Sequence, residues 1–407
     1  MRKITGFFLI SLLFCELIYG FLFPSCGFND SWQPITSYLP KFQEESADNL
    51  FLAKIYPLIS KDYRLNSDIG HYLELARNFT PEYFNESPFL ERPLYSFLIF
   101  FMSLPVRLFA VPSYGMVFAL SILLNFILMS AGVLLFFSLL EKMFSSKVAW
   151  LSSVLLIFSP FVHSFINQPL AEMLMAFAVI VSAFMIYHYI QKPSRPKLVV
   201  FSLVIGSLML GKMFFAISFF ILILAFYHRR FKEGIIFLGV HLAPFLLWYL
   251  WVTQVWGLNY FSHQIRDWQM GVWVFKLFDG PWQETYRVLL SSIPDFATAL
   301  AFSFLLIPIF FSLIGWRKMP FKSKNVIYFG AIFSVFALGF LAKFFYLRHV
   351  FLIFPIIYPT AALGIIEIAN CFGKYRSFLK PVFYVMIITL LVIMSNINIY
   401  RIFDYNN

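Results

Sequence analysis

The chain has 407 residues, of which 60% are hydrophobic and 13% are charged, and its mean hydropathy is +0.78. A soluble protein of this size does not cover so much apolar surface, so the composition indicates that the solvent is lipid. The net charge of +11 does not indicate nucleic-acid binding, because no basic run exceeds a few residues and surplus Lys and Arg in membrane proteins collect in cytoplasmic loops.

The N-terminal segment is "MRKITGFFLISLLFCELIYGFLF". Two positive charges precede about 20 largely apolar residues, which is enough to cross a bilayer. No small-residue cleavage site follows, so the segment is predicted to be an uncleaved anchor helix rather than a signal peptide. Glu16 within it is expected to face protein.

A long polar loop, residues 24–93, separates the anchor from the next apolar stretch. It contains "SDIGHYLELARNF", in which a helix is predicted to start at Ile69 or Gly70. Ser67 or Asp68 is a suitable N-cap for that helix, so Asp68 has a purely structural explanation beside a functional one.

Ten further apolar segments are predicted to cross the membrane as helices, because they lack the alternation of a barrel strand. They lie near 114–138, 148–163, 169–190, 198–211, 213–228, 234–254, 296–316, 326–345, 349–370 and 380–400. Residues 94–111 are also apolar, but Pro105 and Arg107 interrupt them and a crossing there would invert every later loop. This piece is therefore predicted to be re-entrant or to lie along the outer interface. An all-α polytopic protein of about 11 membrane helices results.

The distribution of charge predicts the orientation. With a cytoplasmic N-terminus, the six inner segments carry 17 bases and two acids, whereas loop 24–93 carries six bases and ten acids. That asymmetry is the positive-inside pattern of a multi-pass membrane protein with its N-terminus in the cytoplasm. The Phe-rich and Lys-rich composition favours a bacterial inner (plasma) membrane. A second outer loop, 257–295, is rich in Trp.

With this orientation, charged residues from distant parts of the chain gather at the outer face. They are Asp68, Glu74, Arg77, Glu91, Arg92, Glu172, Lys212, His263, Arg266, Asp267, Lys343, Arg348 and His349. Cations neutralise a lipid phosphate, and a carboxylate accepts the proton of an attacking hydroxyl or amine. Structural alternatives stay open: Glu172 pairs with a neighbouring cation, Lys212 snorkels to the interface, and Arg348 and His349 anchor a helix end.

No cofactor is expected. The histidines His71, His163 and His263 show no metal-ligand spacing and are interpreted as satisfied or exposed side chains. The first outer loop has no D-x-D motif, so no obligatory metal is predicted. The three cysteines, Cys15, Cys26 and Cys371, show neither metal nor disulfide spacing.

The order of the motifs resembles the GT-C glycosyltransferases, most of all the protein O-mannosyltransferase and aminoarabinose-transferase group (glycosyltransferase family 39). The matching pieces are "D-x-x-x-Y-L-x-L-A" from Asp68 through Tyr72, "RPLY" from Arg92, "SPFVHSFINQPLAEMLM" around Glu172, "VIGSLMLGKMFF" around Lys212 and "YLRHVFLIFPIIYP" around Arg348. The resemblance covers roughly residues 1–370. It implies one catalytic transmembrane module including loops 24–93 and 257–295, followed at 371–407 by a basic turn, a last helix and a short tail.

The resemblance implies an inverting transfer of a sugar from a polyprenyl-phosphate donor to an extracytoplasmic lipid, glycan or protein. It assigns the catalytic base to Asp68, phosphate binding to Lys212, Arg348 and Arg92, and supporting roles to Glu172, Tyr72 and His349. The motifs depart from the family pattern in three places. Ile69 stands where many relatives have a second acid, "RPLY" lacks the doubled Pro common in "RPPLY", and His349 stands where relatives have Tyr.

Three other functions fit the same composition. A transporter or flippase of lipid-linked sugars is disfavoured because no internal repeat is found and the charges collect on one face. A polysaccharide polymerase or O-antigen ligase is disfavoured because its large outer loop usually comes late in the chain. A non-catalytic relative with the same fold is the third alternative.

Overall fold

The structure is a computed structural model that describes residues 2–22, 32–34, 64–66, 68–85, 90, 93–211, 231–259, 300, 304, 306–319, 351–375 and 377–396. Within these residues the fold is all-α apart from one small antiparallel ribbon, in which Gln33 lies opposite Leu65. The predicted spans at 213–228 and 326–345 lie outside the described residues, as do Arg92, Lys212, Arg348 and His349.

The elements are numbered here in chain order. The first part contains α1 (Arg2–Leu22), β1 (Trp32–Pro34), β2 (Arg64–Asn66), α2 (Ile69–Arg77), α3 (Pro81–Asn85), α4 (Leu94–Met102) and α5 (Leu104–Arg107). The middle part contains α6 (Tyr114–Met143), α7 (Ser146–Ile157), α8 (Pro160–Phe165), α9 (Glu172–Gln191), α10 (Arg195–Met209) and α11 (Phe231–Leu250), which continues as a π-helical turn (Trp251–Val255). The last part contains α12 (Leu306–Trp316), a 3-10 turn (Phe351–Ile353), α13 (Phe354–Tyr375) and α14 (Leu379–Asn396).

Five helical stretches among the described residues are long and apolar enough to cross a membrane. They are Ile4–Leu22, Tyr114–Met143, Glu172–Tyr189, Phe231–Val255 and Phe351–Lys374. Ser146–Ile157, Leu306–Trp316 and Leu379–Leu390 are shorter apolar helices. The chain is therefore an all-α membrane protein, as predicted, while the number of about 11 spans stays a prediction.

The predicted segment at 148–163 is not one continuous helix, because two helices occupy it. α7 ends at Ile157 and α8 begins at Pro160. Pro160 has no N–H and its ring blocks the preceding helical turn, so it starts a helix rather than continuing one. The Ser159 hydroxyl accepts a hydrogen bond from Val162 N at 3.2 Å and so caps the new helix.

Residues 94–111 form two short helices instead of one crossing helix. The nine residues of α4 rise only about 14 Å, well short of the hydrocarbon thickness of about 30 Å. This length agrees with the prediction that the segment does not cross. The Arg107 guanidinium fastens it to α2, donating to the carbonyls of Ala76 and Arg77 at 2.8 Å each and to Ser103 Oγ at 2.7 Å.

Close helix packing builds the bundle between its two ends. A Cβ placed on Gly206 of α10 would collide with the backbone oxygen of His241 on α11, so these two helices touch backbone to backbone. α12 and α13 approach in the same way at Gly315 and Gly364. A fully buried Phe136 contacts Phe354 edge-on, which joins α6 to α13.

Polar side chains separate to opposite ends of this bundle. The basic end is where α6, α9, α12 and α13 finish: Lys142 lies 3.0 Å from His188, and Lys318 pairs with Glu367 at 3.1 Å. The acidic end is the opposite end, where α2 and α9 begin and α1 and α10 finish. It holds Asp68 and the site described next.

Candidate functional site

Asp68 occupies the N-cap position of α2, so the predicted helix start at Ile69 is confirmed. Its backbone oxygen accepts a hydrogen bond from Tyr72 N at 3.3 Å, but its side chain makes no capping hydrogen bond to the helix. Side-chain capping therefore does not explain an Asp at this position.

Tyr72 follows Asp68 by one helical turn, which puts the two residues on the same face of α2. Tyr72 is buried, and its ring meets the ring of Tyr95 on α4 edge-on with the centroids 5.3 Å apart. Ser96 Oγ also donates to Tyr72 O at 3.4 Å. These contacts fix the Asp68 face of α2 against α4.

The Tyr95 hydroxyl is the centre of a buried hydrogen-bond chain. It donates to Asn125 Oδ1 on α6 at 3.0 Å, and Asn125 Nδ2 donates to the carbonyl of Gln168 at 2.5 Å. Burial raises the pKa of Tyr95 well above its ordinary value, and the nearby acidic groups of Tyr72 and Glu172 raise it further. Tyr95 therefore stays a neutral hydrogen-bond donor at physiological pH.

Glu172 is the first residue of α9, three residues after the predicted start of that segment near 169, and it is 1% exposed. Its carboxylate lies at a helix N-terminus, where the partial positive charge of the helix stabilises an anion. Asn125, which accepts from the Tyr95 hydroxyl, donates to the carbonyl of Gln168 four residues before Glu172, so the start of α9 adjoins Tyr95 and Asn125. We call Asp68, Tyr72, Tyr95, Asn125 and Glu172 the polar cluster.

The end of α10 joins the start of α4 beside the polar cluster. Leu94 N donates to Leu210 O at 3.1 Å, and a Cβ on Gly211 would lie 2.6 Å from Leu174 Cδ2 in the first turn of α9. Arg92 precedes Leu94 by two residues, and Lys212 follows Leu210 by two residues. Both predicted phosphate ligands lie outside the described residues, but the chain on one side of each is part of this junction.

The segment that follows Arg348 and His349, the other two predicted site residues, also lies at the acidic end. Phe351 follows Arg348 by three residues and His349 by two, and its ring stacks on Phe161 of α8 with the centroids 4.0 Å apart. Phe161 lies in the short helix that precedes Glu172. Arg348 and His349 themselves lie outside the described residues.

A second polar pair lies beside the cluster. Glu16 of α1 is 2% exposed, and its Oε1 lies 2.6 Å from His163 Nδ1 on α8. The prediction that Glu16 faces protein is confirmed, and so is the interpretation of His163 as a satisfied side chain.

The sequence analysis missed the hub of the site. Tyr95 stood within the quoted "RPLY" motif without a role, and Asn125 was not singled out. A lone Asn in the apolar run "SILLNFILM" was the available signal, because a polar side chain at membrane depth needs a partner. Arg107 was interpreted only as an interruption of an apolar stretch.

The chemistry that this set of side chains supports is acid–base chemistry on a polar ligand. Among the described residues, no group of three or more His, Cys, Asp or Glu side chains is placed to hold a metal ion. The cluster instead combines two carboxylates at helix N-termini with a neutral phenol. Such groups bind hydroxyls and accept a proton.

Comparisons with known proteins give little support for any one family. No family model matches the sequence, and a search of curated proteins finds no relative. Among solved structures, the chain is similar to the archaeal oligosaccharyltransferase AglB from Archaeoglobus fulgidus in complex with an inhibitory peptide and a dolichol-phosphate, with 12% identity and a TM-score of 0.47. The match covers 96% of this chain and 55% of that one, so the chain spans about half the length of that structure. At this score the similarity is too low to assign an activity.

Proposed function

We propose that this protein is an inverting glycosyltransferase of the GT-C kind. It moves a sugar from a polyprenyl-phosphate donor to an acceptor outside the cytoplasm. The observation that carries the proposal is the convergence of three segments at the acidic end: the start of α2 after Asp68, the start of α9 at Glu172, and the junction of α4 with α10. Asp68, the proposed proton acceptor, thereby lies near the chain segments that lead into Arg92 and Lys212.

The proposed reaction is a single displacement at the anomeric carbon. The acceptor oxygen or nitrogen attacks from the face opposite the phosphate and gives its proton to Asp68. A new bond to the anomeric carbon forms, and the bond from that carbon to the phosphate oxygen breaks. The lipid phosphate leaves with the bonding electrons, and Lys212, Arg348 and Arg92 neutralise its charge.

The supporting residues orient the sugar and the base. Glu172, buried at the start of α9, accepts hydrogen bonds from hydroxyl groups of the transferred sugar. Tyr72 holds the Asp68 face of α2 against α4. His349, next to Arg348 in sequence, contributes a further polar group near the leaving phosphate. No metal takes part in this scheme.

Helix lengths support a site at the level of the membrane surface. The 20 residues of α9 rise about 30 Å, which equals the hydrocarbon thickness, so Glu172 lies at one boundary when Gln191 lies at the other. The 30 residues of α6 rise about 45 Å, and Asn125 lies about 16 Å from its first residue. Both lengths put the polar cluster near one membrane boundary, where a lipid phosphate and a water-soluble acceptor meet.

Charge supports the orientation. The basic end carries Lys142, Lys318 and Lys380 among the described residues, and basic residues prefer the cytoplasmic side. We therefore propose an inner membrane protein with a cytoplasmic N-terminus and an extracytoplasmic site.

The test compares wild type with Asp68→Asn in purified form, with a panel of polyprenyl-phosphate sugars and candidate acceptors. Release of polyprenyl phosphate is expected to fall at least about 100-fold in the variant, because a general base contributes at least that factor. Donor binding is expected to persist. Glu82→Gln is the matched control, because Glu82 is an exposed carboxylate of the same loop on α3 and should transfer at the wild-type rate.

Two results contradict the proposal. Equal rates for wild type and Asp68→Asn would remove Asp68 as the base. A wild type that releases no polyprenyl phosphate with any donor and acceptor, yet equilibrates a labelled donor across liposomes, would establish the flippase alternative.

A further inference from the structure

The pair of Glu16 and His163 is buried inside the bundle and takes no part in the reaction proposed above. Both side chains are nearly inaccessible, at 3% and 0% exposure, and their Oε1 and Nδ1 atoms lie 2.6 Å apart. A polar group at membrane depth is costly unless it is paired, and a broken pair costs more than the pair itself. Glu16 therefore needs a function that an apolar residue would not supply.

The pair joins α1 to residues 163–171, which comprise the end of α8 and the irregular residues 166–171 after it, and which we call the clamped segment. Gly20, one turn after Glu16, packs on the same stretch: a Cβ there would lie 3.1 Å from Asn167 Nδ2 and 3.3 Å from His163 O. Glycine favours this close approach, because a Cβ there would push on the neighbouring atoms. The last turns of α1 thus form one wall of the clamped segment.

A second wall is formed by α6. Asn125 Nδ2 donates to Gln168 O at 2.5 Å and lies 3.4 Å from Ile166 O. Leu170 and Ala171 follow in the clamped segment with no exposed surface, and the next residue is Glu172. The position of Glu172 is thereby set by a stretch held between two helices.

We propose that Glu16 and His163 are positioning residues of the active site, which hold the clamped segment and through it Glu172. The inference rests on the proposed function. Apolar contacts of α1, such as that between Phe14 and Phe126, do not fix the rotation or register of a helix. A directional polar pair does, as buried polar residues do in some helical assemblies.

The first test separates geometry from charge at Glu16. Glu16→Leu removes the acceptor for His163, whereas Glu16→Gln keeps an acceptor oxygen at the same reach. We expect Glu16→Leu to lower kcat about 10- to 100-fold, because a displacement of about 1 Å costs about that factor. The yield of folded protein should stay near wild type. Glu16→Gln should keep kcat within about threefold of wild type, well short of that 100-fold loss. Cys15→Leu, a change to the exposed neighbour on the same helix, is the matched control and should transfer normally.

The second test reads the clamped segment without the reaction. The three native cysteines are removed from the full chain by Cys15→Ala, Cys26→Ala and Cys371→Ala, and Leu170→Cys is introduced as the labelling site. The control carries Cys15→Leu in place of Cys15→Ala. The rate of maleimide labelling is then measured. Because Leu170 has 0% exposed surface, labelling should be slow. Labelling should become at least about tenfold faster in Glu16→Leu, since local opening controls access to a buried group, and stay slow in Glu16→Gln.

The outcomes distinguish the two proposals. Loss of kcat together with faster labelling in Glu16→Leu supports the positioning function. Normal transfer by Glu16→Leu, in a protein that Asp68→Asn inactivates, overturns this inference and leaves the proposed function intact. A Glu16→Gln variant as inactive as Glu16→Leu, but with slow labelling, overturns positioning in favour of proton transfer. A wild type without transferase activity overturns the proposed function, and this inference with it.

Discussion

The hydrogen bond between Tyr95 and Asn125 gives a measurable coupling between α4 and α6. Both side chains have 0% exposed surface, and the hydroxyl lies 3.0 Å from Asn125 Oδ1. Leaving one buried partner unsatisfied costs about 1–3 kcal/mol in soluble proteins, while side-chain hydrogen bonds in membrane proteins average about 0.6 kcal/mol. Tyr95→Phe removes this bond and the interaction of the hydroxyl with Ser121, and we expect it to lower the free energy of unfolding by about 1 kcal/mol.

Asn125→Leu should cost more, because it also removes the donor to Gln168 O at 2.5 Å. We expect a loss of about 2 kcal/mol for two bonds of this kind. In the double variant the shared bond is lost only once. The double variant should therefore be about 1 kcal/mol more stable than the sum of the single effects predicts.

The assay is reversible unfolding in mixed detergent micelles as the fraction of denaturing detergent is increased. Helix content is followed by circular dichroism for wild type, the two single variants and the double variant. Tyr83→Phe is the control, since Tyr83 is 42% exposed and its hydroxyl should contribute nothing measurable. If the two single effects add to within about 0.3 kcal/mol, the hydrogen bond does not exist in the protein and the polar cluster is wrongly described.

Two further perturbations test how the site is supported. Arg107→Ala should lower the free energy of unfolding by about 1–2 kcal/mol and reduce the transfer rate, because the carbonyls at the end of α2 lose charged donors at 2.8 Å. Arg107→Lys lacks the planar guanidinium, so in the same unfolding and transfer assays it should recover only part of the lost stability and part of the lost transfer rate. Gly206→Ala should destabilise the protein by about 1–3 kcal/mol, because the new Cβ meets His241 O and pushes α10 away from α11. Gly239→Ala is the control: a Cβ there has no atom within 4 Å, so the melting temperature should not change. Equal melting temperatures for the two variants would refute the close packing of α10 and α11.

Local signals made the helix starts at the site predictable from the sequence. At α2, a polar Ser-Asp pair precedes an apolar periodic run, and the structure starts the helix at Ile69 as expected. At α9, Glu172 stands where polar "NQP" gives way to an apolar run, and the helix begins there. Such ends are encoded within a few residues, so one sequence is sufficient to find them.

The partners within the polar cluster were not predictable in the same way. Asn125 is visible in the sequence as a polar residue in an apolar run, but its partners lie 30 residues before it and 43 after it. Only packing of α4, α6 and the clamped segment brings them together. The same limit applies to Glu16 and His163, which are 147 residues apart.

The break at Ser159 and Pro160 connects these long-range pairs to one physical cause. Once the helix stops at Ile157, the chain to Glu172 runs through a short helix and an irregular stretch inside a membrane protein. Backbone groups freed from a helix at that depth must find partners within the protein. Asn125 supplies a donor to the carbonyl of Gln168, and Glu16 receives the imidazole of His163. The polar residues of α1 and α6 are therefore explained by the irregular chain that they hold, and that chain ends at Glu172 in the site.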